Sequence, residues 1–453
     1  MPFSISLSQL SEVLVATAKN CASFEKNHLI EGVSTDTRSL QKGDVFVALR
    51  GSNFDGHEFV PAAVAKGAIA VVTEKDMSSQ LGEGVPQLVV KDTLQAYQAI
   101  AQWWRNQLTL PVIAVTGSFG KTTTKELLAA VLATQGKVLK TRANYNNEIG
   151  VPKTLLELSL EDDFAVIEMA MRGRGEIALL SKIARPDIGI ITNVGTAHIG
   201  RLGSEEAIAQ AKCELLVEMP EDSVAILNAD NPLLMETAAK VWQGKTVTYG
   251  LENGDFQGKL VDSQTLMVEG RKLPLSLAGR HNAQNYLAAL AAAKVLGIDL
   301  SQFSQDLAVQ LPEGRAKRFD LPNDLVLLDE TYNAGLESMV AALHLLAETP
   351  GKRHIAVLGT MKELGDRSAK LHFQVGEKVK QLNLDKLLIL VDEPETAEIA
   401  QGAAGISSEC FTNHQAIVDR LKELVQPGDR ILFKASHSVA LDKVVTQFQE
   451  LVK

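Results

Sequence analysis

The stretch that most constrains this chain is Val112-Ile-Ala-Val-Thr-Gly117-Ser118-Phe119-Gly120-Lys121-Thr122-Thr123-Thr124. An apolar run of β type feeds a glycine-bearing turn. Lys125 to Gly136 follows with helical spacing, placing Leu127, Leu128, Val131 and Leu132 on one side. Gly117 and Gly120 allow backbone angles that aim consecutive N–H groups into one concavity, and the helix N-terminus adds partial positive charge there. Lys121 supplies a full charge for the β- and γ-phosphates of a nucleotide, and the Thr122 hydroxyl is placed to ligate Mg²⁺. Counted from Gly117 the loop is one residue shorter than the common form, and Thr116 fills the first slot. An ordinary strand–turn–helix corner shares part of this pattern, but the whole context points to phosphate.

A chain of 453 residues exceeds one typical core, and the length suggests about three domains. Apolar residues at 45% and charged ones at 22% describe a globular protein. A net charge of −10 argues against a nucleic-acid partner, because no basic excess exists to displace counterions. Cys21, Cys213 and Cys410 have no metal-type spacing and read as reduced thiols of a cytoplasmic protein. The N-terminus lacks the basic start and apolar stretch of a signal peptide. No uncharged apolar run reaches the roughly 18 residues of a membrane span, since Lys294 interrupts even the alanine-rich Tyr286–Ile298 stretch.

Residues 1–107 alternate strand-like runs (Asp44–Leu49, Ala68–Thr73, Gln87–Val90) with helical ones (Glu58–Lys66, Thr93–Asn106), which predicts a small α/β domain. Two polar loops stand out, Ser34-Thr35-Asp36-Thr37-Arg38 and Gly51-Ser-Asn-Phe54-Asp55-Gly56-His57. They suit a phosphorylated or sugar-bearing ligand, although turn chemistry alone also produces such loops. Residues 108–313 add strands at Phe164–Glu168, Ile188–Asn193 and Val224–Asn228, predicting a mostly parallel, doubly wound sheet around the phosphate loop. Glu168 ends an apolar run, where a carboxylate needs a partner such as a cation. His198 follows a strand, Lys212 lies on a helix capped by Ser204, and Asn282 opens a long helix after Gly279. Taken singly, a strand-end glutamate is more often an ion pair, a loop histidine structural and a helix lysine solvated, and Asn282 is as readily a plain helix cap. Residues 314–453 repeat the alternation with strands at Leu325–Asp329, His354–Leu358, Leu387–Val391 and Ile431–Phe433. Arg315 at the hinge, and Asp329, Tyr332 and Asn333 after a strand, would complete a site shared across domains.

With those residues in place, the chain resembles the Mur ligases over essentially its full length. The resemblance rests on STDTR at 34–38, FDGH at 54–57, TGSFGKTTTKE at 116–126, NYNNEIGVP at 144–152 and EMAMRGRGEI at 168–177. It continues through ITNVGTAHIG at 191–200, AKCELL at 211–216, LNADNP at 228–232, GRHNAQN at 279–285, EGRAKR at 313–318 and LDETYNAG at 328–335. NYNNEIGVP and DETYNA point to the branch that joins D-alanyl-D-alanine to UDP-N-acetylmuramoyl-tripeptide. The resemblance implies three domains: a UDP-substrate domain, a central ATP domain, and a Rossmann-like domain that takes the amino substrate. It implies that Gly117 to Thr123 bind the ATP phosphates and that Thr122 and Glu168 hold one Mg²⁺. His198 and a carbamylated Lys212 hold or support a second. Asn282 would lie near adenine, Arg315 at the γ-phosphate and Asp329 at the ribose. The loops holding Ser34, Thr35, Asp36 and Arg38, and Phe54, Asp55, Gly56 and His57, would cradle the uridine diphosphate, with Asn146, Asn147, Tyr332 and Asn333 also touching substrate.

The implied chemistry is amide synthesis through an acyl phosphate, in a cytoplasmic monomer with neither nucleic-acid partner nor membrane insertion. Departures from the family pattern cluster near the amino substrate: Gly335 and Leu336 where Asn-Pro is usual, Thr360 where Asp is common, and Ala435 and His437 where Gly and Arg are usual. Sibling carboxylate–amine ligases of the diaminopimelate-, lysine- or folylpolyglutamate-adding kinds remain alternatives, as does a nucleotide-dependent switch.

Overall fold

The computed structural model describes residues 3–20, 28–81, 84–305 and 307–452, so the reading of Cys21 lies outside them. Its central sheet grows outward from the strand Val112–Thr116, which is flanked in parallel by Phe164–Glu168 on one side and Ile188–Ile191 on the other. Val138–Lys140 closes one edge. Val224–Asn228 and Lys245–Gly250 continue the parallel set on the other. These strands are apolar almost throughout because helices cover both sheet faces, as parallel sheets require. The chain crosses from one side of Val112–Thr116 to the other between the second and third of its neighbours, a switch point at whose carboxyl ends ligands bind. The loops after Thr116, Glu168 and Ile191 therefore meet at one place.

Beyond Lys245–Gly250 the sheet gains Phe256–Asp262 and an antiparallel tail of Thr265–Val268 and Arg271–Pro274, which the sequence reading lacks. Their inward residues Phe256, Leu266, Val268 and Leu273 pack into the same apolar cluster as the alanine-rich helix Arg280–Val295. Other boundaries differ modestly. The helix expected from Lys125 starts at Lys121, and Gly120, with φ +78°, lets the turn close that early. The helix expected at Glu58–Lys66 divides into a tight turn, Gly56–Phe59, and Val60–Ala65. The strands expected to reach Asn193 and Leu49 end at Ile191 and Val47.

The N-terminal region carries a sheet in the order Thr17–Lys19, Gln87–Val89, Ala70–Thr73, Asp44–Val47, Gly32–Ser34, parallel except for the first pair. The C-terminal region carries Leu325–Asp329, Asp429–Lys434, Arg353–Gly359, Lys386–Leu390 and Ser408–Phe411 in parallel order, edged by antiparallel Lys317–Leu321. One apolar cluster passes from Phe3 and Ile100 through Val112 and Ile167 to Met339 and Leu371, so all three regions share packing.

Helix Thr93–Asn106 is the tie between the first region and the second. Asp92 caps it, and its buried Trp104 donates to the Leu158 carbonyl at 3.0 Å. Arg105, buried in the same turn, donates to the carbonyls of Ala184, Leu108 and Arg185 and to the Asp187 carboxylate, all at 2.9–3.0 Å. Asp187 in turn accepts from the Val112 amide at the head of the central strand. Removing the guanidinium strands several buried acceptors together. Arg105→Ala is expected to cost about 3 kcal/mol, seen as an earlier unfolding transition by fluorescence of Trp103 and Trp104 in this helix. An unchanged transition would show that Arg105 does not tie the regions.

Candidate active site

The phosphate loop is seated on the segment that follows Ile191. Asn193 makes a double clamp: its side-chain amide donates to the Phe119 carbonyl at 3.0 Å, and its side-chain oxygen accepts from the Phe119 amide at 3.0 Å. The Asn193 carbonyl accepts from the Ser118 amide at 3.1 Å, while Ser118 Oγ and the Gly195 amide bond at 2.9 Å. A side chain at Gly117 would meet Thr192 Oγ1 at 1.9 Å, so glycine is required there by contact as well as by its φ of +151°. The segment is braced from behind, with Asn228 donating to the Thr192 carbonyl and Asn231 to the Val194 carbonyl. One expectation is thereby corrected. The amides of Ser118 and Phe119 serve the loop's own architecture, and the free donors are those at the start of helix Lys121–Leu132. Lys121 folds over the loop and donates to the Gly117 carbonyl at 2.9 Å. Burial holds its pKa below the ordinary lysine value, opposed by Glu168 and reinforced by Arg315.

Glu168 ends its strand almost wholly buried. Asn146 donates to its Oε1 at 2.8 Å, whereas Oε2 has no hydrogen-bond partner among the described residues and faces Lys125 Nζ at 3.6 Å. Lys125, itself buried, is anchored to the Thr141 carbonyl at 2.8 Å and to Glu126 at 3.0 Å. A buried carboxylate oxygen without a donor, close to the Thr122 end of the loop helix, is a hard-oxygen set that fits Mg²⁺. Asn146, expected at the substrate, orients this carboxylate instead. Asn147, also expected there, is turned to capping: its side-chain oxygen accepts from the Gly150 amide at 2.9 Å.

His198 and Lys212 approach the same loop from the other side. Ser204 caps helix Glu205–Val217 as expected, accepting from the Ala207 amide. Lys212 is buried, and burial together with the Lys121 charge holds its pKa well below the ordinary lysine value. His198 also lies below its ordinary value, chiefly through burial and then through Lys121. Lys121 is thus the charge that Glu168, His198 and Lys212 all feel. Among the described residues no group of three or more His, Cys, Asp or Glu side chains forms a metal cluster.

The third region closes over the loop and forms a cavity of about 130 Å³. Ser118, Phe119, Gly120, Lys121, Thr122, Thr123, Asn282 and Arg315, expected at the nucleotide, line it together with Tyr332 and Asn333, expected at the substrate. Glu168, His198, Lys212 and Asp329 do not. Arg315 lies with its guanidinium 3.7 Å from the Tyr332 ring centre, and His437 stacks on Tyr332 at 5.4 Å. Asn282 donates to the Ala278 carbonyl, so part of its role is to open its helix. Asp329, with its carboxyl raised by burial, accepts from both the amide and the hydroxyl of Thr331, and its neighbour Glu330 reaches the cavity instead. Lys434 donates to the Asn333 carbonyl at 2.8 Å, and burial pushes its pKa down. His281, also on the wall, is pushed down to about 4 by burial. Sequence reasoning missed Lys125, Asn193, Asn285, Glu330, Glu337 and Lys434. Lys125, Asn193, Asn285 and Glu330 lie inside motifs already singled out, and that position is the signal that could have found them.

In the N-terminal region, Asp36 grips Arg38 through both carboxylate oxygens, and Ser34 accepts from the Asp36 amide. Thr35 is half-buried between them. Phe54 is 55% exposed, free to meet a ligand. Gly56 sits where a side chain would strike the Leu49 carbonyl at 2.3 Å. His57 departs from the expectation of direct substrate contact. Its ring is buried, with Nδ1 on Asp55 at 2.5 Å and Nε2 accepting from the Glu74 amide at 2.9 Å, so it holds the loop from within.

Three family models match in register with these regions. They are the Mur ligase family, catalytic domain, at residues 29–105, the Mur ligase middle domain at 115–293, and the Mur ligase, glutamate ligase domain, at 314–437. The chain is 59% identical to the UDP-N-acetylmuramoyl-tripeptide--D-alanyl-D-alanine ligase of Synechocystis, covering 98% of this chain and 97% of that protein. Its identity to the Escherichia coli ligase of the same name is 37%, over 99% of each chain. Among solved structures, MurF from Acinetobacter baumannii superposes with a TM-score of 0.89 at 31% identity, covering 99% of each chain. MurF ligase from Thermotoga maritima in complex with ADP gives 0.83 at 30% identity, covering 93% of this chain and 97% of that one. By its matched domains and its full-length relatives, this chain belongs to the Mur ligase family.

Proposed function

We propose that the chain is an ATP-dependent ligase that joins D-alanyl-D-alanine to UDP-N-acetylmuramoyl-tripeptide, through an acyl phosphate, in peptidoglycan precursor synthesis. The observation that carries this reading is the cavity in which Lys121 of the phosphate loop and Arg315 of the third region face one space. A carboxylate is a poor electrophile, so the nucleotide must furnish the leaving group. The tripeptide's terminal carboxylate attacks the γ-phosphorus and ADP departs. The dipeptide amine then attacks the acyl carbonyl, and phosphate leaves as the amide forms. Lys121 and Arg315 neutralise charge where the two anions meet. In the unliganded chain the Lys121 ammonium rests on the Gly117 carbonyl, which keeps it over the loop until phosphates compete for it.

Mg²⁺, when bound, supplies further positive charge to the phosphates, and Thr122 and Glu168 would hold it. His198 and a carbamylated Lys212 would serve a second ion. Carbamylation requires a neutral amine, which burial of Lys212 favours, and it turns a repelling ammonium into an oxygen-bearing anion. The loops Ser34–Arg38 and Phe54–His57 are assigned to the uridine diphosphate. Arg38 and the exposed Phe54 present the contacting groups, and Ser34, Thr35, Asp36, Asp55, Gly56 and His57 shape them. Asn282 and Asp329 are assigned to the nucleoside, and Tyr332 and Asn333 to the amino substrate, with Asn146 and Asn147 building the neighbouring loop. The working division is 1–107 for the UDP-substrate, 108–313 for ATP and 314–453 for the amino substrate. The chain is assigned as a cytoplasmic monomer. Among the described residues no helix is long and apolar enough to cross a membrane.

Phosphate release from ATP with UDP-muramoyl-tripeptide tests the substrate assignment. D-Ala-D-Ala is expected to support turnover and single amino acids are not; turnover with diaminopimelate or lysine in place of the dipeptide would overturn it. Lys212→Ala is expected to lose about 100- to 1,000-fold in kcat and to regain part of it with added short carboxylates. Wild-type rates would remove the carbamate. Gly120→Ala places a methyl 2.4 Å from Asn285 Oδ1 at a positive φ. It is expected to weaken ADP binding by about tenfold or more, since a left-handed alanine costs about 1–2 kcal/mol before any clash. Calorimetry at unchanged far-UV circular dichroism would read that loss.

A further inference from the structure

The His198 ring is gripped from outside its own region. Its Nδ1 lies 2.5 Å from Oε2 of Glu363, which belongs to the third region, 165 residues away. The other oxygen of Glu363 accepts from Arg201 at 3.2 Å, and the Glu363 main-chain carbonyl accepts from the Gly200 amide at 3.1 Å. Arg367 completes the seam by donating to the Gly203 carbonyl at 3.0 Å. The two backbones touch at Gly200 and Gly365. A side chain built on Gly200 would meet the Gly365 amide at 2.6 Å, so neither position has room for one. Both partners of the carboxylate–imidazole pair adopt left-handed backbone angles, φ +65° at His198 and +63° at Glu363. Such angles are costly for side-chain-bearing residues and persist where surrounding contacts enforce them. An incidental surface ion pair would have none of these restraints.

A carboxylate only accepts, so the proton between the two groups sits on Nδ1, and in the neutral ring Nε2 then keeps its lone pair. We propose that Glu363 is a positioning residue that crosses from the third region to fix His198 in the Nδ1-protonated form, with Nε2 as its electron-pair donor. An imidazole that is to take a cation or a proton at Nε2 must be in this form, and the outer hydrogen bond is what selects it. Because the selecting group arrives on another region, His198 is prepared only when that region is docked on residues 198–203. The inference deepens the ligase reading and rests on it for the rate measurements alone.

Heteronuclear NMR of the histidine rings in the nucleotide- and metal-free chain, at mildly alkaline pH and assigned with His198→Gln, reads the tautomer directly. Nδ1-protonated His198 is expected in the wild type; an Nε2-protonated ring overturns the proposal whatever the enzyme's activity. Glu363→Ala is expected to shift His198 toward the Nε2-protonated form and to lower kcat about 10- to 100-fold, with KM for ATP within about twofold. An unchanged ring spectrum, or a changed spectrum at wild-type kcat, overturns it. Glu363→Gln keeps an acceptor oxygen and decides the matter should the alanine variant not fold. Retention of both tautomer and rate, or loss of both, supports the proposal, and loss of one alone overturns it. Absence of wild-type turnover with the dipeptide would sink the ligase reading and leave the ring spectrum as the test of Glu363.

Discussion

The site depends on the seat that Thr192–Gly195 makes for the phosphate loop. A glycine-bearing turn is entropically expensive to hold in one shape, and its amides cannot be left buried without acceptors. Asn193 solves both problems by pairing with Phe119 as one strand pairs with another, while its own carbonyl takes the Ser118 amide. That seat exists because Ile188–Ile191 lies directly beside Val112–Thr116. It is stiff because Asn228 and Asn231 tie it to the next strand's loop. Sheet order therefore becomes loop geometry. The same adjacency on the opposite side delivers Glu168.

The parts legible in the sequence are those whose physics is local. Phe164–Glu168 and Val224–Asn228 match their predicted bounds because parallel strands buried on both faces are uninterrupted apolar runs. Thr93–Asn106 matches because an Asp cap and an amphipathic stripe mark it. The hairpin strands Thr265–Val268 and Arg271–Pro274 escaped because they are four residues each at a sheet edge, the first burying only Leu266 and Val268 and the second only Leu273 after two charged residues. Residue type also misled where folding redirected a side chain. His57 looks like a ligand contact, yet its buried ring is taken up by its own loop, and Asn147 gives its side-chain oxygen to capping. Glu363 was illegible for a different reason: its partner is far along the chain, and only the docking of two regions joins them.

The third region is more than a lid over ATP. Glu337, in the first turn of Leu336–Glu348, accepts from both the amide and the hydroxyl of Thr196, so a second carboxylate grips the segment that seats the phosphate loop. The departures noted near the amino substrate sit within this frame. Thr360 is buried against Thr396 and Asp392 and keeps a polar network where an acid is common. His437 replaces a permanent guanidinium with a flat ring, and the ring stacks on the same Tyr332 that carries Arg315. A change at 437 thus reaches the phosphate end of the cavity through one aromatic side chain.

The charge arrangement explains why such a site waits for its substrate. Lys121, Lys212 and Lys434 are all held below the ordinary lysine value by burial. Beyond burial, Lys121 depresses Lys212, and Arg315 depresses both Lys121 and Lys434. Glu168 and Glu330 only partly offset this, and each keeps a buried oxygen without a hydrogen bond among the described residues. Lys121, Lys434 and Arg315 bring like charges together in a low-dielectric space, which favours an incoming anion, while Lys212 is the group driven toward its neutral form. A nucleotide triphosphate relieves the repulsion on binding. The same positive field then lets a second anion, the carboxylate, approach the γ-phosphorus against the charge that would repel it in water. The positive charge is therefore available in the step that needs it, because these groups are held in place by the fold itself.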